Sequence, residues 1–394
     1  MSNAAQRLDD LLSNDLEALK VRSLYRLRRV VDGPQGPEID IAGRRYLNFS
    51  SNDYLGLAGH PALRTAVYRA LDDYGTGSGA AHLITGHTRA HATLEAELAE
   101  FVQRPRALLF SSGYLANLGV AGALLGRGDR VLEDRCNHAS LLDAGLLSGA
   151  RFSRYPHAQA SGIQWQLAQR SARTLVMTDG VFSMDGDIAP LPELARAAAA
   201  AGAFLMVDDA HGFGVLGKHG RGSLEHFSLG ITEVPVLMAT LGKALGTFGA
   251  FVAGSEALVE TLIQHARTYL YTTAAPACLA EASRAALKLV QIENWRREHL
   301  NWLIQRFRAG ARQLNLPMLD SITAIQPLLL GKAERAVAVS EQLRDHAILA
   351  AAIRPPTVPA GSARLRITLT AAHSEQHIDR LLSALQEVMS NAVN

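Results

Sequence analysis

From Arg44 onward, short apolar runs of strand length alternate with longer segments whose apolar residues recur at helical spacing. The runs include "RALLFSSGYLAN", "RVLEDRCNHAS", "RTLVMTDGVFSMDGD", "AFLMVDDAHGFG" and "VPVLMATLGKALG". This alternation predicts α/β architecture, a mostly parallel sheet covered by helices. Several runs end in polar or glycine-rich residues at their carboxyl side, where open α/β sheets place ligands. Before Arg44, leucines at helical spacing among many charges predict a surface helix over Leu8–Arg29, leading into a turn at "DGPQGP". Near Ala277 the pattern changes to long helical stretches followed by shorter strands, which predicts a smaller α+β lobe. The expected organisation is therefore an N-terminal helix and arm over 1–43, a large α/β domain over 44–276 and a C-terminal α+β domain over 277–394. The chain shows no internal repeat and no low-complexity tract.

Composition narrows the function classes. The 394 residues are 48% hydrophobic and 19% charged, with a formal net charge of +2, too near neutral to argue for nucleic acid or an anionic membrane as the main partner. The longest apolar run, Ala197 to Val207, falls far short of the roughly 18–20 residues of a membrane span. The amino terminus shows neither a secretory nor a transit pattern, so the cytoplasm is the expected location. Two cysteines, Cys136 and Cys278, allow no disulfide framework and no four-cysteine zinc site, and no metal is expected.

Candidate chemistry concentrates at two strand ends. In "VPVLMATLGKALGTFGAFVAG" a lysine, Lys243, lies inside an apolar, glycine-punctuated run. An unpaired buried ammonium is costly, so such a lysine snorkels to water, lowers its pKa or becomes covalently modified. "LMVDDAHGFG" ends another apolar run on Asp208 and Asp209, with His211 close behind. A lysine and an aspartate at neighbouring strand ends suit pyridoxal phosphate, the amine forming the imine and the carboxylate keeping the pyridine nitrogen protonated. The competing reading of Asp208, Asp209 and His211 as a metal site finds no further ligand cluster at suitable spacing. "SSGYLAN" follows a strand and predicts a helix start whose free N–H groups hold a phosphate. The glycine-rich "GTGSGAAHLITGHT" follows a helical pattern rather than a strand and lacks the residues of a nucleotide loop, which leaves a flexible connection or a close backbone approach to a ligand. His138, in "EDRCNHAS", is either structural or stacked on a flat cofactor. Arg354, Arg364 and Arg366, beside stiff prolines, read as a solvated edge or a carboxylate clamp. The charges of "KVRSLYRLRRV" face either water or an anionic acyl carrier.

Taken in order, "NFSSNDYLGL", "SSGYLAN", "NHAS", "DGVFSMDGD", "VDDAHGFG" and "TLGKALG" resemble the α-oxoamine synthases, a family of fold-type I pyridoxal-phosphate enzymes. The resemblance runs from about Leu24 to the end. It implies a mostly parallel seven-stranded sheet flanked by helices with a smaller C-terminal α+β domain. It implies Lys243 as the Schiff-base lysine, Asp208 at the pyridine nitrogen, His138 stacked on the ring, and Ser183 and His211 near its phenolic oxygen. Gly113, Tyr114 and Thr240 match phosphate-site positions, and Thr273 matches a threonine contributed by the partner subunit of a homodimer. Asn52 and Arg366 match positions around the amino-acid carboxylate, and Arg26, Arg354 and Thr357 match the substrate site. "IRPPTVPAGSARLRITLTAAH" is similar to members that condense L-alanine with a pimeloyl thioester, carried by coenzyme A or by an acyl carrier protein. Members that use glycine or serine with acetyl, succinyl or palmitoyl groups are the alternative within the family, and a non-catalytic scaffold is the alternative outside it. One segment departs from the pattern: relatives commonly read Gly-Ser-Gly-Gly-Ser where this chain has Ala80, Ala81 and His82.

Overall fold

A computed structural model describes residues 3–169 and 171–391. They form two compact units, one built from Asn52–Ser183 with Asp187–Leu300, the other from the residues up to Ser51 with Met184–Gly186 and those from Asn301 onward.

The first unit carries a seven-stranded sheet. Its spatial order is Arg106–Phe110, Ala250–Gly254, Val236–Thr240, Phe204–Asp208, Thr174–Asp179, Arg130–Asp134 and Arg151–Tyr155. Only Ala250–Gly254 runs antiparallel to its neighbours; the five strands from Val236–Thr240 to Arg151–Tyr155 are mutually parallel. The four inner parallel strands are buried along most of their length, as expected of a sheet covered on both faces, while the edge strand Arg151–Tyr155 buries only Tyr155. One face packs on Ala116, Val120 and Ala121 of the helix Gly113–Leu124, together with Leu141, Val259 and Leu262. Register then decides the chemistry. Asp179 pairs with Asp208 and Asp208 with Met238, so the polar last residues of adjacent strands are brought side by side at one edge.

The second unit holds two small sheets. Arg44–Asn48 lies between Glu38–Ile41 and Ile348–Leu349, and Ala363–Thr368 lies between Ile325–Gly331 and Ala351–Ile353. Helices Ala333–Asp345 and Glu375–Asn391 belong to this unit.

These units divide the chain at other residues than the hydrophobic pattern predicts. Arg44–Asn48 pairs with Glu38–Ile41 and Ile348–Leu349, which ties it to the second unit. Ala277–Ile292 packs on the helices Pro61–Tyr74 and Arg89–Phe101, which ties it to the first. The N-terminal helix covers Ala4–Val21 and stops short of Arg29, with Ser23 at φ 54° and the Leu24 N–H donating to the Leu19 carbonyl at 2.8 Å. It buries none of its residues. The "GTGSGAAHLITGHT" segment contains a turn of π-helix, His82–Gly86, with His82 and Gly86 buried and Leu83, Ile84 and Thr85 exposed. A Cβ on Gly86 would collide with the Ala80 carbonyl, so glycine is required there by close approach.

Candidate active site

At the carboxyl edge of the parallel strands lies a cavity of about 170 Å³. Gly113 and Tyr114 border it from the start of the helix Gly113–Leu124, which follows the strand Arg106–Phe110. Ser112 caps that helix, its hydroxyl accepting the Leu115 N–H at 3.3 Å. His138, Asp208, His211, Thr240 and Lys243 complete the wall together with Asp179, Ser140 and Met238. A larger surface groove of about 970 Å³ is bordered by charged side chains such as Arg69, Lys218 and Arg284, the last already paired with Glu97 and Glu281.

Asp208 is 3% exposed, and its carboxylate is held rather than left bare. Oδ2 accepts Asn117 Nδ2 at 2.8 Å and Oδ1 accepts the Ala210 N–H at 3.0 Å. Asn117 stands one turn after Gly113 and donates also to Ser140 Oγ at 2.8 Å. Asp179, buried beside Asp208, accepts the His138 N–H at 2.7 Å; burial and then the Asp208 charge raise its pKa well above the usual carboxylate value. The His138 ring is solvent-accessible at the mouth and accepts the Ser140 N–H through Nδ1 at 3.2 Å. Desolvation by the cavity walls lowers its pKa, Asp208 pulls the other way, and Lys243 lowers it again.

Lys243 is half-buried, with Nζ 2.8 Å from His211 Nε2; His211 Nδ1 lies 2.5 Å from the Tyr54 hydroxyl. A neutral imidazole has one donor and one acceptor nitrogen, which allows two proton patterns. Tyr54 donating to Nδ1 leaves Nε2–H to donate to a neutral lysine amine; Nδ1–H donating to Tyr54 leaves Nε2 to accept from an ammonium. His211 therefore shares a proton with the amine, which answers how a lysine is accommodated in an apolar run. The loop that carries Lys243 is fixed at Gly246, whose φ of +66° and closeness to Ala58 exclude a side chain.

Seven expected site residues thus meet at one cavity: Gly113, Tyr114, His138, Asp208, His211, Thr240 and Lys243. Ser183 is half-buried in the loop after Gly180 and does not line it. Thr273 is exposed in the segment bridged to Ala81, and Asn52 lies beside Tyr54, whose hydroxyl is 3.4 Å from its Oδ1. The other expected residues lie in the second unit. There Arg26 Nη2 is 3.4 Å from Thr357 Oγ1, Arg354 donates to the Tyr25 carbonyl at 2.6 Å, and buried Arg366 donates to Thr368 Oγ1 at 3.1 Å. Arg364 instead pairs with Asp185. Asn117, Asp179 and Tyr54 escape the sequence reading, although an asparagine inside the apolar "GYLANLGVAGAL" and an aspartate closing "TLVMTD" were visible signals.

The sequence pattern of the aminotransferase class I and II family matches residues 44–385. An 8-amino-7-oxononanoate synthase of Nitrosococcus oceani is 62% identical over 376 residues, 95% of this chain and 100% of that protein. The chain belongs to the 8-amino-7-oxononanoate synthase family. Among solved structures, the family member from Francisella tularensis is 33% identical, with a TM-score of 0.78 over 89% of this chain and 99% of its own. A serine palmitoyltransferase of S. paucimobilis, solved with pyridoxal phosphate bound to myriocin, is 26% identical with a TM-score of 0.92 over 99% of each chain. The fold is that of the fold-type I pyridoxal-phosphate transferases, and the cofactor of the family is pyridoxal phosphate.

The cavity fits that cofactor on its own terms. A buried carboxylate preset by two hydrogen bonds, a half-buried lysine amine, an accessible imidazole and a capped helix start surround one space. Lys243 would hold the aldehyde carbon, Asp208 the ring nitrogen, and the N–H groups at Gly113 and Tyr114 the phosphate. Asp209 serves as the control. It is fully buried, accepts the Ser223 N–H at 2.7 Å, and burial pushes its pKa up to about 7. Asp208→Asn should weaken pyridoxal-phosphate retention roughly 10-fold or more, since a charge-assisted hydrogen bond is worth about 1.5–3 kcal/mol. Asp209→Asn should retain cofactor and change stability instead. Folded Asp209 holds its proton more tightly than the unfolded chain does, so its contribution is complete below about pH 4 and is lost as pH rises towards 7. The stability margin of the natural protein over Asp209→Asn should therefore shrink across that window, by up to about 1.4 kcal/mol per pH unit, in urea unfolding. Equal cofactor loss in both variants would contradict the division of roles.

Proposed function

We propose that the chain catalyses the decarboxylative condensation of L-alanine with a pimeloyl thioester, giving 8-amino-7-oxononanoate, carbon dioxide and free thiol for biotin biosynthesis. The observation that carries this reading is the 57–62% identity to synthases of that name across 95–98% of the chain.

Bound pyridoxal phosphate supplies an electron sink for the carbanion at alanine Cα. The residues of the chain supply the rest. Lys243, in the proton pattern that leaves its amine neutral, takes the Cα proton, and a shift of His211 to the tautomer whose Nδ1–H donates to Tyr54 frees Nε2 to accept from the charged lysine that results. Tyr54 fixes the orientation of the His211 ring through Nδ1. Asp208 keeps the cofactor's ring nitrogen protonated, and Asn117 holds Asp208 in place. His138, at the cavity wall, would cover one face of the ring, and the loop of Ser183 would approach its phenolic oxygen. Arg26, Arg354 and Thr357, which meet within the second unit, would take anionic groups of the acyl substrate. Burial, then the Arg26 charge, lowers the pKa of Arg354, which favours an anion between the two guanidinium groups.

A serine-using, palmitoyl-transferring reaction is the second reading, favoured by the higher TM-score to the serine palmitoyltransferase. Measuring kcat/KM for alanine, glycine and serine against pimeloyl, acetyl, succinyl and palmitoyl thioesters decides between them. Alanine with pimeloyl thioester should lead. Glycine should retain some turnover, because one methyl group gives only about 1–3 kcal/mol of discrimination. Preference for serine with palmitoyl thioester would overturn the proposed substrates.

The protein is also proposed to act as a homodimer, with Thr273 reaching the partner's phosphate site. Support comes from the exposure of Thr273 beside the exposed Tyr271, on a segment bridged to Ala81. Sedimentation at assay concentration should give about twice the chain mass of 42.3 kDa. A fully active monomer would contradict it.

A further inference from the structure

His157 lies outside the cavity and outside every role given above. It follows the strand Arg151–Tyr155, and each of its ring nitrogens faces a carboxylate: Nδ1 is 2.9 Å from Asp134 Oδ1 and Nε2 is 3.1 Å from Asp187 Oδ2. Asp134 ends its strand and organises the turn that leads to His138. Its Oδ1 also accepts the Cys136 N–H at 2.8 Å, and its carbonyl accepts the Asn137 N–H at 3.0 Å. Asp187 closes the loop that holds Ser183. The Phe182 N–H donates to the Asp187 carbonyl at 2.9 Å, and Val181 bridges Ile188. The buried Phe182 ring meets the His157 ring edge-on, with centroids 4.4 Å apart.

We propose that His157 is a positioning residue for the active site, a doubly protonated ring that clamps the turn carrying His138 to the loop carrying Ser183. Two acceptors on opposite sides of one imidazole are both satisfied only when both nitrogens carry hydrogen. Burial alone lowers the pKa of this ring, and the hydrogen bonds to Asp134, Asp187 and Cys136 outweigh it, pushing it up to about 12. Asp134, Cys136 and His157 are also close enough to share a metal ion. The clamp accounts for the same closeness without one, since a doubly protonated ring has no lone pair to offer and Asp134 already accepts from Cys136, Ala158 and His157. The clamp joins the turn of His138, which lines the cavity, to the loop of Ser183, as residues behind an active site commonly do.

The catalytic consequence rests on the proposed condensation; the protonation state does not. Nitrogen-15 NMR of histidine-labelled, cofactor-free, metal-stripped full-length protein tests the latter, with the His157 signals assigned by their loss in His157→Gln. Both ring nitrogens should be protonated at pH 8, well above the ordinary histidine pKa of about 6.5. A bare nitrogen there, or a ring signal displaced by added zinc, would overturn the clamp. In the loaded enzyme, His157→Gln and Asp187→Asn should each raise the dissociation constant of pyridoxal phosphate about threefold or more and lower kcat about tenfold, with KM for alanine changing less. The double variant should be no worse than the weaker single one, because both remove the same link. Natural cofactor affinity and kcat in both single variants would overturn the proposal. Should His157→Gln fail to fold, Asp187→Asn carries the same comparison and its loss of one ring partner assigns the signals. Absence of alanine–pimeloyl turnover in the natural protein would count against the substrate reading alone, with the NMR and cofactor affinity still deciding the clamp.

Discussion

Parallel strands that share a register deliver their last residues to the same edge, and here three of the five are acids. Asp134, Asp179 and Asp208 end three adjacent or near-adjacent strands, each almost fully buried. Carboxylates packed this way are costly unless each is hydrogen-bonded, paired or protonated. The structure answers with a different device for each. Asp208 takes the Asn117 amide and the Ala210 N–H, Asp179 takes the His138 N–H and has a raised pKa, and Asp134 faces His157. The loops after the strands are consequently shaped by the need to satisfy the acids, and those same loops carry the reacting groups.

From that constraint the division of labour follows. Asp208 is held in place yet borders the cavity, whereas the next residue, Asp209, is turned into the interior to organise the Ser223 N–H and the glycine turns around it. Side chains at Gly212 or Gly222 would run into the Asp209 carboxyl, so these two glycines serve the buried acid. Lys243 depends on the same logic: its amine has an apolar approach along the strand and a polar partner, His211, at the end of it. His211 in turn is oriented by Tyr54, which the chain delivers from well before the sheet begins.

Much of this was legible in the chain. Alternating strand and helix patterns gave the sheet, and polar residues closing apolar runs marked its functional edge, because both depend on local periodicity. Lys243, Asp208 and His211 stood out for the same reason. Asn117 and Tyr54 did not, since their importance comes from which distant side chain they meet, Asp208 in one case and His211 in the other. The grouping of strands into units is hard to read for a related cause. Arg44–Asn48 reads as an ordinary strand, and only its pairing with Ile348–Leu349, some three hundred residues on, assigns it to the other unit. His157 illustrates the limit most clearly, as nothing in "SRYPHAQ" announces that two aspartates from other segments converge on its ring.

The central claim is that the strand edge presents one lysine to pyridoxal phosphate across from one carboxylate. Borohydride treatment of the cofactor-loaded protein, followed by peptide mapping, tests it most directly. The account predicts a single pyridoxyl-labelled peptide containing Lys243, absent from a folded Lys243→Ala variant. A label on a peptide lacking Lys243, or equal labelling of the variant, would contradict it.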